Sequence, residues 1–217
     1  MLLGIIAVTK AHDGFCVAGI NAHGKLIRPI RGKGSDRFWP RNKLTHENGF
    51  IKSGDIWELE GNYVRSEFPN HTEDFRPTKF RYRHPMKQEK FMDLLSKYAE
   101  GEQEFIDTVN GNQRSLCLVS VNNIRFRTRE WDGRISWRVS IDGGFCFDNP
   151  KTQDTQYPLK DCKWLSLMNK GYRLPRFEKI FACIGLATPA PYDGVEYPQV
   201  IGIHTMPDIK ITDNYPD

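Results

Sequence analysis

No stretch of this 217-residue sequence approaches the ~20 consecutive apolar residues that a membrane-spanning helix needs. Met1 to Val8 is apolar but has neither a basic leader nor a small-residue cleavage site. It reads as a buried first strand, not a signal peptide. No Cys-x-x-Cys occurs, and the five cysteines (16, 117, 146, 162 and 183) are odd in number. Cys16, Cys117 and Cys183 lie in apolar runs. This argues against a disulfide framework or a zinc site and for buried thiols in a reducing cytoplasm. A P-loop, GxGxxG after a strand, HExxH, GxSxG and the zinc-deaminase signature are all missing. No cofactor and no resident metal is implied. Scattered carboxylates still leave room for a two-metal nuclease centre, whose ligands often come from distant strands.

Net charge is also modest, at +4, so the chain as a whole is no polycation. The charge is unevenly spread. His23 to Lys43 holds Lys25, Arg28, Arg31, Lys33, Arg37, Arg41 and Lys43 against Asp36 alone. Arg76 to Lys90 holds Arg76, Lys79, Arg81, Arg83, Lys87 and Lys90 against Glu89. Arg125, Arg127 and Arg129 recur at every second residue. Local clusters of this kind suit a polyanionic partner, although any one of them also fits ordinary solvated surface.

The most informative stretch is Gly14 to Arg31, which reads as two strands joined at Asn21-Ala22-His23-Gly24. Gly24 can adopt the positive φ such a turn requires. On a period of two, Leu26, Arg28 and Ile30 share one face, and Ile27, Pro29 and Arg31 the other. Pro29 lacks a ladder donor, so an edge or bulged strand is expected, with its arginines exposed. The following loop sets Phe38 and Trp39 beside Lys33 and Arg37. Rings that stack bases, next to cations that track phosphates, suit single-stranded nucleic acid. Trp39 would equally serve as a cap on the core. His71, Glu73 and Asp74 crowd one short turn. They form a possible polar or metal site, or a hydrogen-bonded turn paired with nearby Arg76.

Met86 to Val109 carries apolar residues at three-and-four spacing and predicts helix, broken at Glu100-Gly101. Strands resume at Ser115. Ile124, Phe126 and Thr128 alternate with the three arginines, Trp131-Asp132-Gly133 turns, and Arg134 to Ile141 returns. Gly143-Gly144 predicts another turn, and Asn214 to Asp217 a frayed end. Many short strands with frequent turn signals favour small barrels. The expected fold is mainly β (α+β): two small OB-like β-barrels with an intervening helical segment. Residues 1–110 would form the first barrel plus helix, and residues 111–217 the second.

Several elements together resemble the prokaryotic dual OB-domain family. They are Cys16-Val-Ala-Gly19, Gly24-Lys-Leu-Ile-Arg-Pro-Ile-Arg31, Gly54-Asp55-Ile56 and His71-Thr-Glu-Asp74. The Gln153-Asp154 region and the strands Phe181 to Leu186 and Gln199 to Ile203 are similar to its second half. The resemblance implies two OB-like barrels and a role in nucleic-acid binding or modification in microbial defence or repair. Arg28 and Arg31 match the family's basic strand, and His71, Glu73 and Asp74 its acidic turn.

The leading expectation is a cytoplasmic DNA- or RNA-binding module without membrane contact. Arg28, Arg31, Lys33 and Arg37 would hold phosphates, Phe38 or Trp39 would stack a base, and Arg125 and Arg127 would extend the track. The alternatives are a metal-dependent enzyme using His71, Glu73 and Asp74, and a protein-interaction subunit of a larger complex.

Overall fold

A computed structural model describes residues 1–142, 151, 156–213, 215 and 216. The turn expected at Gly143-Gly144, Cys146 and the Gln153-Asp154 element lie outside the described residues. Cys16, Cys117, Cys162 and Cys183 are in no disulfide among the described residues.

The first strands are β1 (Leu2–Ala11), β2 (Gly14–Asn21) and β3 (Leu26–Pro29). A 3-10 turn (Gly34–Arg37), the short helix α1 (Arg41–Leu44) and the two-residue strands β4 (Thr45–His46) and β5 (Gly49–Phe50) follow. Next come β6 (Asp55–Tyr63) and β7 (Asp74–Pro85). Strands β1, β2, β3, β7 and β6 close a barrel in that order. Every pairing is antiparallel except β3 with β7, where Arg28 faces Asp74 and Pro29 faces Phe75. Leu3, Ile5, Val17, Ile27, Trp57, Leu59 and Phe75 fill it.

This corrects two expectations. β3 lies between β2 and β7, so it is not an edge strand. Pro29 is tolerated because the pairing with β2 covers only Leu26 and Ile27, which leaves no ladder bond for its missing N–H to break. The cationic run on β7 is offset by acids on β6. Lys79, Arg81 and Arg83 all converge on Glu58 at 2.7–3.0 Å and hold its carboxyl down at about 2.

Helices α2 (Gln88–Tyr98) and α3 (Glu102–Asn110) divide the apolar stripe at Ala99–Gly101. Strands β8 (Leu116–Val121), β9 (Asn123–Trp131), β10 (Arg134–Asp142) and β11 (Gln156–Pro158) follow. The chain then forms α4 (Cys162–Asn169), β12 (Lys179–Leu186) and β13 (Pro198–Met206). Two three-stranded antiparallel sheets result, β11-β10-β9 and β13-β12-β8. They are joined at Asn122, where β8 bends into β9, and by a parallel bridge between Leu159 and Val200. Taking β8 and β9 as one bent first strand, the order and directions repeat those of the first barrel. Both halves are therefore OB-like, in a mainly β fold. α4 plugs the second barrel: Trp164 is buried in its core and donates from Nε1 to the Ile203 carbonyl at 2.8 Å. Asp161 caps that helix, accepting from Trp164 N and Ile203 N.

A third apolar cluster lies between the two sets of strands. Ala18, Ile20 and Leu26, on the outer side of β2 and β3, are buried with Phe91, Met92 and Leu95 of α2 and with Leu118, Phe181 and Cys183. The register of β1 against β2 slips at Ile6, and the Ile6 carbonyl meets His204 Nε2 at 2.8 Å. A Cβ on Gly202 would lie 2.3 Å from that same oxygen, so β13 approaches β1 backbone to backbone. The chain end is not frayed at Tyr215, which donates to the Ile51 carbonyl at 2.6 Å on the first barrel.

Candidate nucleic-acid interface

β9 and β10 alternate, so one set of side chains fills the second barrel and the other faces outward. Ile124, Val139 and Ile141 are in the core, and Phe126 stacks on Trp164 at 5.2 Å. The outward set is Arg125, Arg127 and Arg129 on β9, with Arg134, Ser136, Arg138 and Ser140 on β10. The register sets Arg127 directly opposite Arg138, with small serines opposite Arg125 and Arg129. Like charges directly across a strand pair repel, and an anion lying over them relieves that repulsion. Asp142 stands 3.9 Å from Arg125, an exposed and loose pair that offsets little. The hairpin turns at Asp132-Gly133, both at positive φ, a geometry that follows the strand twist. Beside the turn Trp131, opposite Arg134, is 74 % exposed.

The face continues past β11 to Lys160. Burial lowers the pKa of this lysine, and the charge of Arg138 lowers it further. Arg129, Arg138 and Lys160 line a cavity of about 450 Å³ together with Tyr192 and Tyr197. Lys160, Ala187, Thr188 and Gln199 also line a second cavity of about 310 Å³. That second cavity sits between the barrels, walled by Cys16 and Ala18 of β2 and by Gly185 and Ile201 of β12 and β13.

Beside it lies a buried polar network. Arg28 donates from Nε to Asp74 Oδ1 at 2.7 Å and from Nη2 to Ser115 Oγ at 2.7 Å. Arg37 donates from Nη2 to both oxygens of Asp74 and approaches His71 Nδ1 at 3.2 Å. Since a guanidinium only donates, Nδ1 accepts, and the proton of neutral His71 sits on Nε2, 3.1 Å from Glu196. Burial and the charge of Arg28 push the His71 pKa down to about 4, so the ring is neutral at pH 7. Glu73 accepts from Ser115 N, Ser115 Oγ and Leu116 N. Asp74 is held below the usual carboxylate range; its burial is outweighed by Arg28 and Arg37. This network ties the loop before β7 to the start of β8.

The candidate residues therefore separate. Arg28 and Arg37 are 3 % and 4 % exposed and salt-bridged, so they form no open phosphate track on the first barrel. Its β2–β3 outer face is covered by α2 and the second sheet. Trp39 is a core residue: it is buried against Phe80 and donates from Nε1 to the Pro29 carbonyl at 2.7 Å, so it stacks no base. Phe38 is half-buried on the smaller cavity. Arg31 and Lys33 are exposed on the intervening loop. Arg125 and Arg127 are on the outward arginine face. His71, Glu73 and Asp74 are committed to Arg28, Arg37, Glu196 and Ser115. Among the described residues no group of three or more His, Cys, Asp or Glu is placed to hold a metal.

Sequence reasoning missed Lys160 and Trp131 and did not name Arg138 as a site residue. The alternation of Arg134 to Ile141 already placed Arg138 outward. Lys160 carried no local signal, because its neighbour Arg138 is brought beside it only by β11 pairing with β10.

No helix among the described residues is long and apolar enough to cross a membrane. No curated protein and no solved structure matches the chain. The family described as the dual OB-containing domain matches residues 1–203. With two OB-like strand arrangements in one chain, a fold of a nucleic-acid-binding type, the protein belongs to the dual OB-containing domain family.

Proposed function

We propose that the protein binds single-stranded or distorted nucleic acid across the outward face of β9 and β10 and along the cavity that holds Lys160. The observation that carries this reading is the register of Arg127 against Arg138, flanked by Arg125, Arg129 and Arg134. Such a face attracts an anionic polymer, and a phosphate chain carries its charges at regular spacing. Trp131, Tyr192 and Tyr197 offer rings for stacking at the hairpin tip and the cavity. Cysteines in no disulfide among the described residues suit a cytoplasmic setting, and the family resemblance suggests a defence, repair or nucleic-acid modification system in which other proteins take part. The chain is taken as two units, residues 1–110 and 111–217, because the strand order repeats on either side of that point.

The test is an oligonucleotide titration. Arg125→Ala/Arg127→Ala should weaken binding by tenfold or more and leave the unfolding midpoint near that of the parent, since both side chains are exposed. Unchanged affinity in a folded double variant would remove this face from the interaction.

A further inference from the structure

The smaller cavity differs in kind from the exposed face. Lys10, Arg28, Arg37 and Lys160 line it with His12 and His71, and among the described residues none of its lining is acidic. The carboxylates that hold the two arginines lie behind them. Arg28 is anchored through Nε and Nη2, and Arg37 through Nη2. Arg28 Nη1 and Arg37 Nε and Nη1 take no hydrogen bond among the described residues. Two guanidiniums fixed by one edge, with donors left over, are pre-organised to receive an anion. The remaining wall is apolar and includes Val17, Leu116, Leu186, Ile201 and the half-buried ring of Phe38. At about 310 Å³ the space is within the range of small-ligand sites.

We propose that this cavity holds one nucleotide, its phosphate on Arg28, Arg37 and Lys160 and its base against Phe38 and the apolar wall. The nucleotide has two sources, a free mononucleotide or the terminal nucleotide of a bound strand. The second source rests on the function proposed above. A strand in the larger cavity would reach this one across the shared wall of Lys160, Ala187, Thr188 and Gln199.

Calorimetry with adenosine 5′-monophosphate and with inorganic phosphate reads the first source. Comparing linear oligonucleotides, with and without a 5′-phosphate, against a closed single-stranded circle reads the second. Saturable mononucleotide binding, tighter than phosphate alone and about tenfold weaker in Phe38→Ala, supports a free nucleotide. A tenfold preference for a linear strand over the circle, lost in Phe38→Ala and in Lys160→Gln, supports a strand end. Lys160→Gln is the second variant in case Phe38→Ala does not fold. If the circle binds as well as the linear strand and millimolar mononucleotide does not bind, the cavity proposal is overturned and the arginine face stands. If mononucleotide binds but no polynucleotide does, the cavity proposal stands and the function proposed for the arginine face is overturned.

Discussion

Asp74 is the carboxylate that pairs closely with two buried arginines, and Asp74→Asn measures what that is worth. The carboxylate is fully buried and lies 2.7 Å from Arg28 Nε and 3.0 Å from Arg37 Nη2. At roughly 4 Å between charge centres and an effective dielectric near 20, each pair is worth about 4 kcal/mol before desolvation is subtracted. Removing one partner of a buried pair typically costs about 3–5 kcal/mol, because the remaining charge is left uncompensated. Asparagine keeps the shape, removes the charge and turns one of the two accepting oxygens into an NH2 that cannot accept from a guanidinium. Arg28 would retain Ser115 and a distant Glu73 at 3.9 Å, whereas Arg37 would retain neutral His71 and the Phe68 ring, whose centroid lies 4.9 Å from its guanidinium carbon. The expected loss is thus about 3–5 kcal/mol, a large share of the roughly 5–15 kcal/mol of a typical domain. Urea unfolding followed by tryptophan fluorescence reads it as a lower midpoint at unchanged slope. Asp74→Asn/Arg37→Met should recover at least about 1 kcal/mol of the loss, since it deletes the cation left stranded. A single variant within about 1 kcal/mol of the parent would refute the structural role given to this network.

Three further outcomes follow from the geometry. Stability should fall as pH drops from 6.5 toward 4, because His71 and His204 are held at about 4 and about 3 by burial while the unfolded chain takes up their protons near 6.5. The His71 drop alone corresponds to about 3 kcal/mol. Asp161, raised by burial to about 6, works in the opposite sense below pH 6 but is the smaller of the effects. Unfolding midpoints at pH 7.5 and 5.0 check this, and a higher midpoint at pH 5.0 would contradict it. Gly202→Ala should destabilise by about 1–3 kcal/mol, because its methyl group meets the Ile6 carbonyl and forces β1 and β13 apart; a thermal melt within 1 °C of the parent would show that the strands give way freely. Trp164→Ala should cost about 3–5 kcal/mol through loss of the second barrel's plug and should lower its refolding yield.

What the sequence revealed and what it hid have a common explanation. Alternation is local, so the inward Ile124 and outward Arg125 and Arg127 could be read directly, as could the turn at Asp132-Gly133. The break in the helical stripe was legible from Gly101 for the same reason. Arg28 was misread because its partner lies 46 residues away, on a strand that meets β3 in parallel. A basic residue on a strand looks the same in sequence whether solvent or a buried carboxylate faces it. The covering of the outer face of β2 by α2 and the second sheet is a tertiary event with no local mark. The same holds for Tyr215, whose partner on the first barrel is 164 residues away.

The salt dependence of oligonucleotide binding tests the arginine face most directly. The logarithm of affinity should fall linearly with the logarithm of salt concentration, by about 0.7 per phosphate held on a single strand. Arg125→Ala/Arg127→Ala should make that slope shallower by about 1 to 2 units. A parent protein whose affinity ignores salt, or a double variant with the parent's slope, would contradict the account.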